Sequence, residues 1–155
     1  MKLSPTMRSV LIALGLFILI WFTIFVLTGG DRHHRKTVGV GKDDLIVWVA
    51  ENQEAWTQGL SGTEIETLEA DGMLFVFPDE QIRNFWMQGM NYSLDVVWIA
   101  NGKIVKISED VPMPVGEENI PHMSSDPFEI DQVLEVPSGM VSAQGWQGGD
   151  LVVIN

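Results

Sequence analysis

The sequence has no cysteine in its 155 residues. Disulfide frameworks, thiolate metal centres and cysteine nucleophiles are thereby excluded. Basic side chains are nearly missing beyond residue 42: Arg83, Lys103 and Lys106 face twenty acids, a net charge of −17. Residues 1–42 reverse the balance, with six Lys and Arg against Asp31, so +5 and −17 give the −12 of the whole chain. A region so acidic repels phosphate backbones, and no nucleic-acid partner is expected. Glycine-rich phosphate loops, nucleophile elbows and zinc-protease helices are all absent, and no cofactor is implied. His122 is the only histidine beyond residue 34, and its setting, "NIPHMSS", offers no nearby partner for a Ser-His-Asp triad.

What the chain does have is one long uncharged run, residues 10–28, "VLIALGLFILIWFTIFVLT". Nineteen residues in a helix span roughly 28 Å, close to the thickness of a hydrocarbon core. The run exceeds the usual ~7–15 residues of a signal-peptide core, and no small-x-small cleavage site follows it. Residues 1–28 therefore read as a retained single-span anchor in the lipid bilayer, with a cleaved signal peptide as the alternative. Residues 29–42, "GGDRHHRKTVGVGK", read as a polar linker, and residues 43–155 as the folded domain. The basic flanks of the run nearly tie, with a slight lean toward a cytoplasmic domain. "RHHRK" reads as a stop-transfer flank that can also meet anionic headgroups. His33 and His34, as two lone neighbours, make a poor metal site.

In the acidic region, "LIVWVA" (45–50), "GMLFVF" (72–77), "NFWMQ" (84–88), "IDQVLEVP" (130–137) and "LVVIN" (151–155) carry the β-branched and aromatic content of short strands. "LDVVWIA", then "NG", then "KIVKISE" predicts a hairpin, because Asn101 and Gly102 both tolerate the positive φ of a type I′ turn. Counting back from that turn pairs Trp98 with Val105, Val96 with Ile107 and Asp95 with Ser108. "ENQEAWTQGLSG" predicts a short helix capped by Glu51 or Asn52 and ended by Gly59. "SGMVSAQGW" predicts a second, with Ser138 as cap and Gly145 as stop. Residues 110–129, with four prolines, read as one long loop. The expected fold is mainly β, a small closed sheet or barrel with one or two short helices, preceded by the transmembrane helix.

The segments "QGLSG", "DGMLFVF", "NFWMQ", "SLDVVWI", "GKIVKISE", "VLEVPSGM" and "GGDLV" resemble, in order and spacing, the bacterial and archaeal family known as domain of unknown function 192. The resemblance covers residues 45–153. It implies a compact, mostly β domain, often behind an export signal or anchor, and no defined activity. The chain departs from that pattern at Ser61, where Met is usual, at Thr63, where Arg is common, and at Ser93, where Pro is common.

The candidate binding residues are Asn84, Trp86, Asp95 and Glu109. Asp95 is a lone acid in an apolar run, and such an acid either holds a turn through backbone N–H groups or Arg83, or faces a ligand. Trp86 can supply an aromatic platform beside an acid, with Asn84 on the same strand face. Glu109 ends the return strand of the hairpin. No residue is assigned as catalytic or metal-ligating. The leading expectation is a single-pass membrane protein whose domain lies outside the cytoplasm and binds a small molecule or an envelope protein. The alternatives are a hydrolase using Asp95 and Glu109, and soft-metal binding by Met87, Met90, Met113, His122 and Met123.

Overall fold

The computed structural model describes residues 34–116 and 118–155. The apolar run at 10–28 lies outside them, and among the described residues no helix is long and apolar enough to cross a membrane. The described chain is mainly β, with two short helices. In order it runs β1 (His34–Val40), β2 (Asp43–Ala50), α1 (Gln53–Gln58), a 3-10 turn (Ile65–Thr67), β3 (Gly72–Gln81), β4 (Asn84–Trp86), β5 (Leu94–Ala100), β6 (Lys103–Val111), β7 (His122–Ser124), β8 (Ile130–Pro137), α2 (Met140–Gln144) and β9 (Val152–Ile154).

Seven strands form one sheet in the order β6-β5-β8-β3-β2-β1-β9, and β4 pairs with β7 as a separate ribbon. Among the described strands only β2 and β3 run parallel. A parallel pair needs a crossover, and the segment containing α1 supplies it. The sheet curls into a half-barrel whose outer strands meet at one end. There Lys103 bridges Leu151, the Val152 amide donates to the Gly102 carbonyl at 2.9 Å and the Ile104 amide to that of Asp150 at 3.0 Å. All seven strands send apolar side chains to the enclosed face, among them Val38, Val47, Leu74, Val97, Ile104, Leu134 and Val152, and Val141 and Trp146 plug it. The opposite face carries a second core of Met73, Phe75, Val96, Trp98 and Val133, covered by Leu60, Met87, Met90 and Tyr92. Strand alternation explains the two layers, since neighbouring residues must enter different cores.

Residues 34–40, read from sequence as linker, form β1, which pairs with both β2 and β9. Only Val38 and Val40 of this strand are buried, so its apolar signal is too short to see. Lys36 reaches Glu51 at 2.9 Å and Arg35 reaches Glu69 at 2.7 Å, which gives the polar half of the strand partners at the surface. Helix α1 is capped as expected: Asn52 Oδ1 accepts the Ala55 amide at 3.0 Å, and Gly59 leaves the helix at φ 50°. Pro78 does not end β3. The strand continues to Gln81 through a register shift between Val76 and Gln81, a place where a missing N–H costs no ladder bond. Part of the proline-rich loop is strand as well, since His122–Ser124 pairs with Asn84–Trp86.

The β5–β6 hairpin turns on Asn101 (φ 52°) and Gly102 (φ 67°) with Ala100 paired to Lys103, as the Asn-Gly signal requires. Its register departs from simple counting. Ile99 pairs with Ile104 but Trp98 with Lys106, so Val105 is an extra residue; a second irregularity leaves Asp95 opposite Glu109 and Asp110. Such bulges strengthen local twist and help a sheet curl.

Candidate ligand-binding site

On the outer core face, a cavity of about 320 Å³ opens between α1, the 59–61 turn, β3, β4 and β8. That is the lower end of the range for small-molecule sites. Its walls are aromatic. Trp56 comes from α1, Phe75 and Phe77 from alternate positions of β3, and Phe85 and Trp86 from β4. Phe85 stands edge-on to Phe75, Phe77 and Trp98, with ring centroids 5.0, 6.3 and 5.6 Å away. Trp56 tilts against Phe77 at 5.1 Å and is fixed by its indole N–H, which donates to the Ala50 carbonyl at 2.9 Å. These contacts lock the rings in place, so the cavity is preformed.

Gln53, Gln58, Ser61 and Asn84 add neutral polar groups to the lining. Arg83 lies with its guanidinium 4.0 Å above the Phe77 ring, and its Nη2 donates to Asp79 Oδ1 at 2.6 Å and to the Asp79 carbonyl at 3.0 Å. Trp86 is 54% exposed and packs edge-on to His122, whereas its neighbour Met87 is buried. This is the split that adjacent strand residues must show.

The acid in this cavity is Glu135. It sits on β8 between Met73 of β3 and Val96 of β5, and is only 5% exposed. Among the described residues its carboxyl has no hydrogen-bond partner. Burial pushes its pKa up to about 8. Tyr92 lies close enough to feel it. Burial raises the phenol above its ordinary range, a hydrogen bond with Thr63 opposes this, and the charges of Glu135 and Glu64 add to it. Buried polar groups are nearly always paired, so an acid left without a donor, facing a cavity, calls for an explanation beyond packing.

Of the four residues selected from sequence, the cavity brings together Asn84 and Trp86 and includes neither Asp95 nor Glu109. Asp95 is 1% exposed and fully engaged: Oδ1 accepts the Asp110 amide at 2.9 Å and Oδ2 the Val141 amide at 3.0 Å. It thus caps α2, the role assigned to Ser138, whose hydroxyl instead donates to Asp110 Oδ1 at 2.8 Å. Neither donor lies in the 89–93 loop, and Arg83 is bound to Asp79 instead. Glu109 is an exposed residue of β6 within the bulge opposite Asp95. Leu94 pairs with Val111, and Val96 with Ser108 where counting from the turn gave Ile107. Met87 and Met90 are core residues of the outer layer, Met123 packs against it, and Met113 is exposed. Sequence reasoning missed Glu135, although "VLEVP" carries the same signal that marked Asp95: one acid inside an apolar strand.

The fold and its cavity can now be set against known proteins. The model of the family described as "Uncharacterized ACR", domain of unknown function 192, matches residues 36–154. The chain belongs to this family. Its members' model thus takes in all but the first two residues of the described region and the last one. A crystal structure from Sinorhizobium meliloti 1021, provisionally described as a transcription regulator, is similar at a TM-score of 0.70 and 26% identity. The match covers 80% of this chain and 96% of that one. A protein of unknown function from Novosphingobium aromaticivorans shares the fold at a TM-score of 0.61 and 19% identity, over 78% of this chain and 84% of that one. No curated protein matches. Of the positions where this chain departs from the family pattern, Ser61 lines the cavity and donates to the Gln88 carbonyl at 2.6 Å, and Thr63 holds Tyr92 at 2.9 Å.

Proposed function

We propose that this member of the domain of unknown function 192 family is a membrane-tethered binding module that holds a small organic molecule in the aromatic cavity around Glu135. The observation that carries the reading is a preformed ring of aromatic side chains closing on a buried acid that has no partner among the described residues. Preformed, mostly apolar hollows with a few polar groups are the usual form of small-molecule sites. Tethering through residues 10–28 is supported by the length and apolarity of that run. Presentation outside the cytoplasm is supported by the signal-like N-terminus and by the frequency of export signals before related domains. The acidic charge, −17 over residues 43–155, favours a small-molecule or cationic partner over nucleic acid.

The test is a thermal-shift screen of the full-length protein in detergent against amines, amino acids, sugars and nucleotides. A ligand at ~100 times its dissociation constant stabilises the folded state by about 2.7 kcal/mol. Trp86→Ala, at an exposed position, is expected to melt like the parent and to lose the ligand-induced shift. A shift that persists in Trp86→Ala and in Phe85→Leu would put the binding site elsewhere. An alkaline phosphatase fusion at Asn155 tests the outward placement: activity supports it, and a silent but intact fusion contradicts it.

A further inference from the structure

Resting on the ligand-binding reading of this cavity, we infer that its ligand is a compact organic ammonium, with the charge on Glu135 and the carbon skeleton against the surrounding rings. An ionised carboxyl offers about four acceptor positions. None of those on Glu135 meets a donor among the described residues, and the carboxyl opens to the cavity, where water or a ligand can supply one. The surroundings select which donor. Trp56, Phe75 and Phe85 line the cavity, and the face of an aromatic ring attracts cations; that of Phe77 is already taken by Arg83. A neutral hydroxyl satisfies one oxygen of the acid and leaves those faces without a complement. An anion meets both the acid and the rings unfavourably.

The cavity's own cation does not fill this role. The Arg83 guanidinium is held through Nη2 by Asp79 Oδ1 at 2.6 Å and by the Phe77 face at 4.0 Å, while its buried Nε has no partner among the described residues. The volume, about 320 Å³, limits the ligand to a small skeleton. Around Glu135, β3 and β5 present Met73 and Val96; Tyr92 is held protonated by burial, and Arg83 is paired. Within the lining, the carboxyl of Glu135 therefore changes charge near neutral pH, since burial pushes it up to about 8; His122 packs on Trp86 outside that lining. Uptake of a cation then expels the proton of the free acid, and affinity rises with pH until the carboxyl is ionised in the free protein.

Three probes of one shape test this by calorimetry on the full-length protein in detergent: cyclohexylammonium, cyclohexanol and cyclohexanecarboxylate. The ammonium is expected to bind roughly tenfold or more tightly than the alcohol, as a charge-assisted pair does, and the carboxylate least of all. At pH 7, comparison of buffers with different ionisation heats should show close to one proton released per ammonium bound. Glu135→Gln should abolish both the preference and the proton release while melting at least as high as the parent. Equal affinity for ammonium and alcohol, or a preference that survives Glu135→Gln, would overturn the ammonium and leave the cavity as a binding site. Tightest binding by the carboxylate would overturn it in favour of Arg83. Silence of all three probes would remove both the ammonium and the cavity reading.

Discussion

Asp95 and Glu135 lie one rung apart on adjacent antiparallel strands and point to opposite faces of the sheet. Asp95 pairs with Val136, and Val96 pairs with Glu135, so each acid shares a face with the valine opposite it. Both are buried, yet their surroundings differ completely. Asp95 accepts two backbone amides, whereas Glu135 accepts nothing among the described residues. One acid builds the fold and the other lines the cavity.

Asp95 satisfies the amide of Asp110, a bulge residue at φ 51°, and that of Val141, 46 positions away in sequence. Removing it leaves both donors without their acceptor. Asp95→Ala is expected to cost about 2–4 kcal/mol in urea unfolding, since each buried unsatisfied donor costs roughly 1–3 kcal/mol. Asp95→Asn keeps one acceptor and should fall between the parent and the alanine variant. Ligand affinity of the folded fraction should be unchanged in both.

Glu135 gives stability a pH dependence of opposite sign to that of a salt-bridged acid. Its folded-state pKa, about 8, stands above the ordinary 4.5. Between those values the folded state binds more protons than the unfolded one, so stability falls as pH rises through that window and levels off above it. The loss from pH 5 to pH 9 is on the order of 4 kcal/mol, at 1.36 kcal/mol per pKa unit. Glu135→Gln should remove this slope, matching the parent near pH 5 and exceeding it near pH 9 in denaturant titrations.

Gly72 opens β3 and lies tightly against β8. A Cβ built there falls 2.1 Å from the Glu135 carbonyl oxygen and 2.9 Å from Val136 Cγ1. Both neighbours belong to a packed central strand that cannot yield cheaply. Gly72→Ala is expected to destabilise by about 2–3 kcal/mol, in the overpacking range, and to weaken binding by displacing β8. Chemical denaturation and the ligand screen together check it.

The turn of the β5–β6 hairpin should respond more mildly. Gly102 sits at φ 67°, and an added Cβ would lie 3.3 Å from the Val152 carbonyl. Gly102→Ala should cost roughly 1 kcal/mol from the backbone conformation alone. Gly102→Asn, which tolerates that conformation better, should recover part of the loss.

Much of this fold could be read from local chemistry. Asn101–Gly102 announced its hairpin because few other residues accept two successive positive φ angles. Asn52 and Gly59 bracketed α1 for similarly local reasons. The register of the same hairpin was not readable, because the bulges at Val105 and at Glu109–Asp110 answer to the curl of the whole sheet. β1 was hidden for a related reason: its charged half finds partners in Glu51 and Glu69, residues remote in sequence. Within the site, Trp86 and Asn84 stood out by type and spacing. Telling Asp95 from Glu135 required knowing which amides lie across each face, and only the tertiary fold supplies those.

The ionisation of Glu135 tests the account most directly. The carboxyl carbon of Glu135 can be followed by NMR from pH 4 to pH 10 in the full-length protein, free and with cyclohexylammonium. The free protein should titrate with a midpoint near 8, and the ammonium should move that midpoint downward. A midpoint in the ordinary carboxylate range, unmoved by the ammonium, would contradict a buried acid that takes up a cation in this cavity.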